Sequence, residues 1–485
     1  MDDNILTMAY LYTASLILRV VSLLRKTKII ATLGPSSMEE DIVTLMARRG
    51  ADAFRLNFSH GTLEEKEIMI KMIRKAEEKV EKFIPIIADL RGPTIRLGVV
   101  DNDYYVNKGD SVSLINSEKG YSGNKEIPVP FKEVFSVLEE GDILLIDDGK
   151  VRIRVEKMVG ERVVGTVLSE GKIRSRVTFI VQGKEPPLPA LTDKDKKDVM
   201  FCIKHGVEFF ALSFVRTRED VKELRDFLDD HGASYAKIIS KIETKSAVSH
   251  LDEIIDQSDG VMIARGDLGM HFPLEEIPYI QERIAKRCLE KGKLSILATQ
   301  ILESMTENPM PTRAEVADVY TAVREGIGAL MLSAETAIGK YPVEAVSWLD
   351  SILKHAEERI SPPRVEGIGE TIYDKFAKGL VLLAESINAY ILAYTKGGVT
   401  ANRISRYRPK VQAYIATSDK SVARQVNLLW GLTPVLTQET DLQKALSEVF
   451  EDLRARGIFK KGDIVIITVG MREGTTDLAR IEILE

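Results

Sequence analysis

Cysteine and histidine are scarce in this chain of 485 residues, which has two of the first and six of the second. Cys202 and Cys288 cannot build a disulfide framework or a four-thiolate zinc site, and a chain so poor in cysteine reads as cytoplasmic. The few imidazoles argue against a histidine-rich metal centre, so any metal is expected to be a hard cation held by carboxylates. Positive charge is not in excess either: 67 Lys and Arg face 73 Asp and Glu, a net charge of −6. No general basic field is present to hold nucleic acid. Long uninterrupted apolar runs are missing as well. Ile5–Leu24 comes nearest, but Asp2 and Asp3 precede it, Arg19 interrupts it, and Thr7, Tyr10, Tyr12, Thr13 and Ser15 dilute it. Residues 1–24 are expected to form a short surface helix or an extension with Met8 as an alternative start, neither a signal peptide nor a membrane span.

What is present is a globular composition, 44% hydrophobic and 29% charged. The length suits about three domains at ~150 residues each. From Arg25 onward, short β-rich runs alternate with amphipathic helical stretches. The runs are Lys28–Leu33, Ala53–Phe58, Pro85–Leu90, Phe209–Phe214, Lys237–Glu243, Val261–Arg265, Ser295–Gln300 and Ala329–Glu335. Eight strand–helix units in order predict a parallel (β/α)8 barrel over residues 25–91 and 189–358. The rhythm breaks over residues 92–188, where alternating strands and Gly turns predict an inserted all-β domain. Its exit through Pro186, Pro187 and Pro189 suits a hinged lid. Residues 359–485 return to an α/β pattern, read as a separate C-terminal doubly wound α/β domain. The charged run Lys194–Asp198 is expected to be a solvated helix start. Cys202 and Cys288 are expected in helix cores, His205 at the surface, and Trp348 and Trp430 as packing residues.

In such a barrel, active-site groups project from the C-terminal strand ends. Those ends carry Thr32, Arg55, Asn57, Asp89, Ser213, Lys241, Glu243, Arg265, Asp267, Thr299, Gln300, Ser333 and Glu335. Arg55 and Asn57 are two apart, so both face one side of their strand, and so do Lys241 and Glu243. Glu243 and Asp267 end consecutive strands, and two converging carboxylates completed by water and substrate oxygens suit magnesium. A single Lys–carboxylate pair at a rim is commonly structural. The whole constellation, with Arg55, Lys241 and Arg96 adding positive charge, fits phosphoryl transfer instead. The Gly92-Pro93 turn would position Arg96 at the base of the lid.

The segments RLNFSHG (Arg55–Gly61), ADLRGPTIR (Ala88–Arg96), SKIE (Ser240–Glu243), ARGDLG (Ala264–Gly269), ATQILESM (Ala298–Met305), PTRAEVADV (Pro311–Val319) and LSAETAIGKYP (Leu332–Pro342) closely resemble the pyruvate kinase family. The resemblance runs from about Arg25 to the C-terminus. It implies phosphoryl transfer from phosphoenolpyruvate to ADP, giving pyruvate and ATP. It implies that Glu243 and Asp267 hold magnesium or manganese, that Lys241 stabilises the phosphoryl in flight, and that Arg55 holds the same phosphate. Amides of Gly266 and Asp267, with the Thr299 hydroxyl, would hold the substrate carboxylate. Thr299, through water and with Ser333, would help protonate the enolate carbon. Asn57, Ser59, Asp89 and the Leu90 carbonyl match the family's monovalent-cation pocket. Thr32, Pro35, Asn57, His60 and Arg96 match positions around the nucleotide. The loop Thr395, Lys396, Gly397, Gly398 and Thr400 resembles an effector phosphate loop, with VGMREGTTD (Val469–Asp477) as its wall. The family is usually a homotetramer.

Departures from the family pattern shape the expectations. Thr94 stands where most potassium-dependent members carry Glu, and it cannot supply that charge, so activity is expected to be largely potassium-independent. Glu65 replaces the usual aromatic near the adenine, and Gly397 replaces a frequent Ser. The lid exit RSRVTFIVQGKEPPLP carries no lysine assigned to the nucleotide. Two other readings stay open at this level: a metal-dependent lyase or aldolase of a pyruvate-like acid, and a catalytically silent metabolite sensor.

Overall fold

The computed structural model describes residues 25–147, 149–160, 162–365, 371–470 and 475–485; the apolar stretch of residues 1–24 lies outside them. Eight parallel strands close into a barrel: β1 Lys28–Thr32, β2 Ala53–Asn57, β3 Ile86–Asp89, β4 Phe209–Leu212, β5 Lys237–Ile242, β6 Gly260–Ala264, β7 Leu294–Ala298 and β8 Ala329–Leu332. Each strand pairs with its neighbours in sequence order, and β1 meets β8 in the register Lys28 to Ala329. Strands enclosed on both faces need near-continuous apolar sequence. Accordingly β1 (KIIAT), β6 (GVMIA) and β7 (LSILA) are buried at every position. β2 departs from this at Arg55 and Asn57, both only half-buried. The helices between strands carry their own stop and start signals. Thr312 caps the helix Arg313–Glu325 by accepting from the Glu315 amide, and Gly326 ends it in the left-handed region at φ 78°.

The chain divides into two compact units, one of residues up to Arg55 with Ile68–Ile86 and Cys288–Glu485, the other of Leu56–Glu67 and Ile87–Arg287. The second unit contains the insertion. Its main sheet runs in the order Phe179–Val181, Ile143–Ile146, Val151–Val159, Arg162–Val167, Ser111–Ile115, Glu126–Pro128. Val151, Ile153 and Val155 are buried while Arg152 and Arg154 between them are exposed, the alternation of a sheet with one face on a core. That core is closed by Leu114, Ile127, Ile146 and Phe179.

The first unit contains the C-terminal α/β region, a five-stranded sheet built from β9 Tyr390–Tyr394, β10 Ala413–Thr417, β11 Leu432–Leu436, β12 Ile464–Val469 and β13 Leu478–Ile483, ordered β11-β10-β9-β12-β13. Ile391, Ile415 and Ile466 pack on one face with Leu380, Val381 and Ile404. Leu392, Tyr414 and Val465 pack on the other with Leu446, Val449 and Leu453. Helices on both faces make it doubly wound. The antiparallel edge strand β13 was not anticipated, because its residues are mostly exposed and give no burial signal.

Two expectations are corrected. The run Lys194–Asp198 is not a solvated face: Asp195 and Asp198 are buried. Asp195 completes a capping box with Thr192 and also accepts the amides of Arg91 and Gly92 at 3.0 and 3.3 Å, so its charge is spent on four backbone and hydroxyl donors. Trp348, at 36% exposed, packs only in part, its indole N–H donating to the Pro309 carbonyl. Trp430, Cys202 and Cys288 are buried.

Candidate active site

In the second unit, the ends of β3, β4 and β5 converge on one lysine. Lys241 extends from β5, and its ammonium lies 2.8 Å from Glu243 Oε1 and 3.3 Å from Asp89. It donates to Ser213 Oγ at 2.8 Å, and that hydroxyl donates to the Leu90 carbonyl at 2.8 Å. The second Glu243 oxygen accepts the Phe214 amide at 2.8 Å. Phe214 reaches that position with φ 55°, an uncommon conformation for a bulky residue and one that concentrates at functional sites. Asp89 and Glu243 are almost fully buried.

Asp267 joins this cluster from a different element than expected. It sits in the first turn of the short helix Arg265–His271, not on the strand, because β6 ends at Ala264. Burial and the neighbouring Glu243 charge together push its carboxyl up to about 7, with Lys241 opposing both. Three carboxylates, Asp89, Glu243 and Asp267, thus face one ammonium. Such crowding of carboxylates is the kind that one dication relieves. No group of three or more His, Cys, Asp or Glu forms a complete ligand cage among the described residues. Glu243 and Asp267 would leave most positions on a metal to water or substrate oxygens, the way magnesium is commonly held.

The same unit holds Asn57, Ser59, His60 and Arg96. Asn57 Oδ1 accepts the Ser59 amide at 3.0 Å, and the Phe58 amide donates to the Asp89 carbonyl at 3.0 Å. His60 is exposed. Arg96 donates to the Arg176 carbonyl at 2.9 Å. Gly92 turns with φ 67°, and a Cβ there would meet Ser213 Cβ at 3.0 Å, so the turn after β3 needs glycine. Thr94 is neutral and its amide donates to the Gly92 carbonyl.

In the first unit, Arg55 Nη1 lies 3.3 Å from Thr32 Oγ1, and Thr32 Oγ1 donates to the Leu332 carbonyl at 2.8 Å. Pro35 opens a single 3-10 turn, Pro35–Ser37. Thr299 and Gln300, just after β7, both take positive φ, 69° and 55°, a strained pair at a strand end. Ser333 Oγ is buried without a hydrogen-bond partner, while its amide donates to Glu335. Thr395 accepts the Gly398 amide at 3.0 Å, and Thr400 bonds Thr476 at 3.1 Å. Residues 471–474 of the loop paired with this segment lie outside the described residues. Sequence reasoning placed Ser213 at the rim without a role, although its hydroxyl lies between Lys241 and the Leu90 carbonyl. The Phe214 amide could not have been found, since a backbone donor leaves no residue-type signal.

The family model for the pyruvate kinase barrel domain matches residues 24–346, and that for the pyruvate kinase alpha/beta domain matches residues 374–482. The chain belongs to the pyruvate kinase family. It is a phosphotransferase by that membership. A pyruvate kinase of Aeropyrum pernix is 40% identical over 460 residues, covering 94% of this chain and 99% of the relative. One from Geobacillus stearothermophilus is 36% identical, covering 95% of this chain and 80% of the relative. Among solved structures, a pyruvate kinase from Pyrobaculum aerophilum superposes with a TM-score of 0.87 at 32% identity, covering 95% of this chain and 100% of that one. A pyruvate kinase from Cryptosporidium parvum gives 0.89 at 30%, covering 95% and 96%. Pyruvate kinases in general depend on a divalent metal, and the carboxylate excess around Lys241 has the chemistry to hold one.

The cluster makes an activity-independent prediction. Lys241 lowers the Asp267 pKa, so Lys241→Met moves it further above the ordinary carboxylate range. Carboxylate-resolved NMR titration of the metal-free protein measures this; an unchanged or lowered Asp267 titration contradicts the arrangement.

Proposed function

We propose that this family member transfers the phosphoryl group of phosphoenolpyruvate to ADP, with Lys241, Glu243 and Asp267 as the centre of the reaction. The observation that carries the reading is the Lys241 ammonium lodged against Glu243 and Asp89 beside a strongly perturbed Asp267. Both substrates are polyanions, and their repulsion must be offset before they react. Glu243 and Asp267 would hold magnesium or manganese, which when bound supplies positive charge to the phosphoryl oxygens. Lys241 places a compact point charge where the phosphoryl passes. Arg55 holds the same phosphate, and the amides of Gly266 and Asp267 with the Thr299 hydroxyl hold the substrate carboxylate. The bond from phosphorus to the enol oxygen breaks as a bond to an ADP oxygen forms. The enolate then takes a proton at carbon, relayed by Thr299 through water with Ser333, and leaves as pyruvate. The unpaired, buried Ser333 Oγ is a group with a hydrogen bond still to give.

Thr32, Pro35, Asn57, His60 and Arg96 are proposed to surround the nucleotide, with the inserted β domain closing over it to exclude water. The monovalent pocket of Asn57, Ser59, Asp89 and the Leu90 carbonyl stays without the charge that Thr94 fails to supply. Thr395–Thr400 is proposed to take a phosphorylated effector, and the assembly is proposed to be a homotetramer. Cytoplasmic residence is supported by the two free, buried cysteines.

A coupled assay of pyruvate formation with and without ADP tests the reaction. ADP-dependent turnover with matching ATP is expected, and Lys241→Met is expected to lower kcat by on the order of 10²–10³-fold or more. ADP-independent turnover points to a lyase or aldolase, no turnover to a silent sensor, and near-normal Lys241→Met activity removes Lys241 from its role. Titrating potassium against tetramethylammonium at constant ionic strength is expected to leave the rate largely unchanged; strong activation by potassium contradicts the reading of Thr94.

A further inference from the structure

We infer that Thr336 is a positioning residue for Arg55, acting through Thr32; the inference rests on Arg55 holding the phosphate, as proposed above. All three residues lie in the first unit, where β8, β1 and β2 are neighbours in the barrel. β1 and β8 pair in register as far as Ala31 with Leu332, and β8 ends there, so Thr32 has no β8 residue opposite it. Thr32 is buried, and its N–H and C=O need partners of some kind. One side chain supplies both. The Thr32 amide donates to Thr336 Oγ1 at 3.0 Å, and the Thr336 hydroxyl donates to the Thr32 carbonyl at 2.9 Å. Thr336 is fully buried and belongs to the short helix Ala334–Ala337 that follows β8. Its hydroxyl, with one proton and two lone pairs, stands in for the strand that has ended.

Thr32 in turn meets Arg55 by both main chain and side chain. The two residues are paired across β1 and β2, and the Leu33 amide donates to the Arg55 carbonyl at 3.1 Å. The Thr32 hydroxyl gives its proton to the Leu332 carbonyl at 2.8 Å, which leaves its lone pairs for the Arg55 guanidinium, whose Nη1 donates to it at 3.3 Å. The turn that carries Thr336 is itself anchored. Glu335, also buried, accepts the Leu302 amide at 3.0 Å and the Ser333 amide at 2.7 Å. Ala337 packs so close to Gly34 that a Cβ at Gly34 would lie 2.6 Å from the Ala337 carbonyl oxygen. Thr336 thus presents its hydroxyl from a fixed frame.

Packing alone would be met by valine, which has the shape of threonine. What valine lacks is the pair of hydrogen bonds. A buried N–H and C=O left unpaired are costly enough for the end of β1 to seek other partners, and the Thr32 hydroxyl would move with it. A guanidinium reads the geometry of a phosphate through a planar fork, so a small displacement of Arg55 weakens the grip on phosphate first. A ligand without a phosphate gives Arg55 nothing of that kind to hold, and it separates positioning from general stability.

The test measures binding rather than turnover. Isothermal titration calorimetry of the full chain with Mn²⁺ compares phosphoglycolate, which carries a carboxylate and a phosphate, with oxalate, which has no phosphate. Thr336→Val is expected to weaken phosphoglycolate on the order of 10-fold and to change oxalate by less than about 2-fold. Thr336→Ser keeps the hydroxyl and is expected to bind both ligands as wild type does. Equal weakening of both ligands by Thr336→Val makes the residue structural only and overturns the inference. Unchanged phosphoglycolate binding in Thr336→Val, or its loss in Thr336→Ser, does the same while leaving the role of Arg55 intact. A wild type that binds oxalate but not phosphoglycolate overturns the assignment of Arg55 to the phosphate, and this inference with it. If circular dichroism shows that Thr336→Val does not fold, Thr336→Ala decides by the same criteria.

Discussion

Negative charge crowded around a single lysine is the constraint on which the catalytic reading depends. Asp89, Glu243 and Asp267 are all withdrawn from water, and the Lys241 ammonium lies against them. Such an arrangement is costly in an empty barrel and inexpensive beside a dication. The pressure is visible in Asp267, whose carboxyl burial and Glu243 drive to about 7. The same excess that would destabilise a purely structural rim is what a phosphotransferase needs to hold a metal against polyanionic substrates.

The scaffold supplies the positions. Strand ends deliver Asp89 and Lys241, the residues just past β5 and β6 deliver Glu243 and Asp267, and backbone donors fix the carboxylate orientations, as the Phe214 amide does for Glu243. The turn that leaves β3 is pinned by Asp195, whose buried carboxylate gathers the amides of Arg91 and Gly92 together with its own helix cap. That contact makes the entry to the inserted β domain a fixed point rather than a loose connection. In the other unit, Arg406 and Arg408 do a comparable job, holding two barrel helices by their terminal carbonyls.

Much of this was legible in the sequence because it obeys periodicities. Mostly apolar strands such as KIIAT and LSILA announce a parallel barrel, and the two-residue spacing of Lys241 and Glu243 puts them on one face. What escaped shows where residue types stop carrying information. Asp195 and Asp198 looked like part of a solvated charge run, since a buried cap and an exposed charge share the same letters. Asp267 was read onto a strand end but lies on a following helix, because the chain bends at Arg265 with no proline or glycine before it. The edge strand β13 alternates charged and apolar residues at the surface and carries no burial pattern. The Phe214 amide is invisible to any reading of side chains.

The central claim is that Glu243 and Asp267 together hold one hard dication beside Lys241. Mn²⁺ binding to the full chain, followed by electron paramagnetic resonance with Mg²⁺ as competitor, addresses it most directly. The account predicts one Mg²⁺-displaceable site that Glu243→Gln and Asp267→Asn each strongly weaken. Mn²⁺ binding that is indifferent to both substitutions would contradict it.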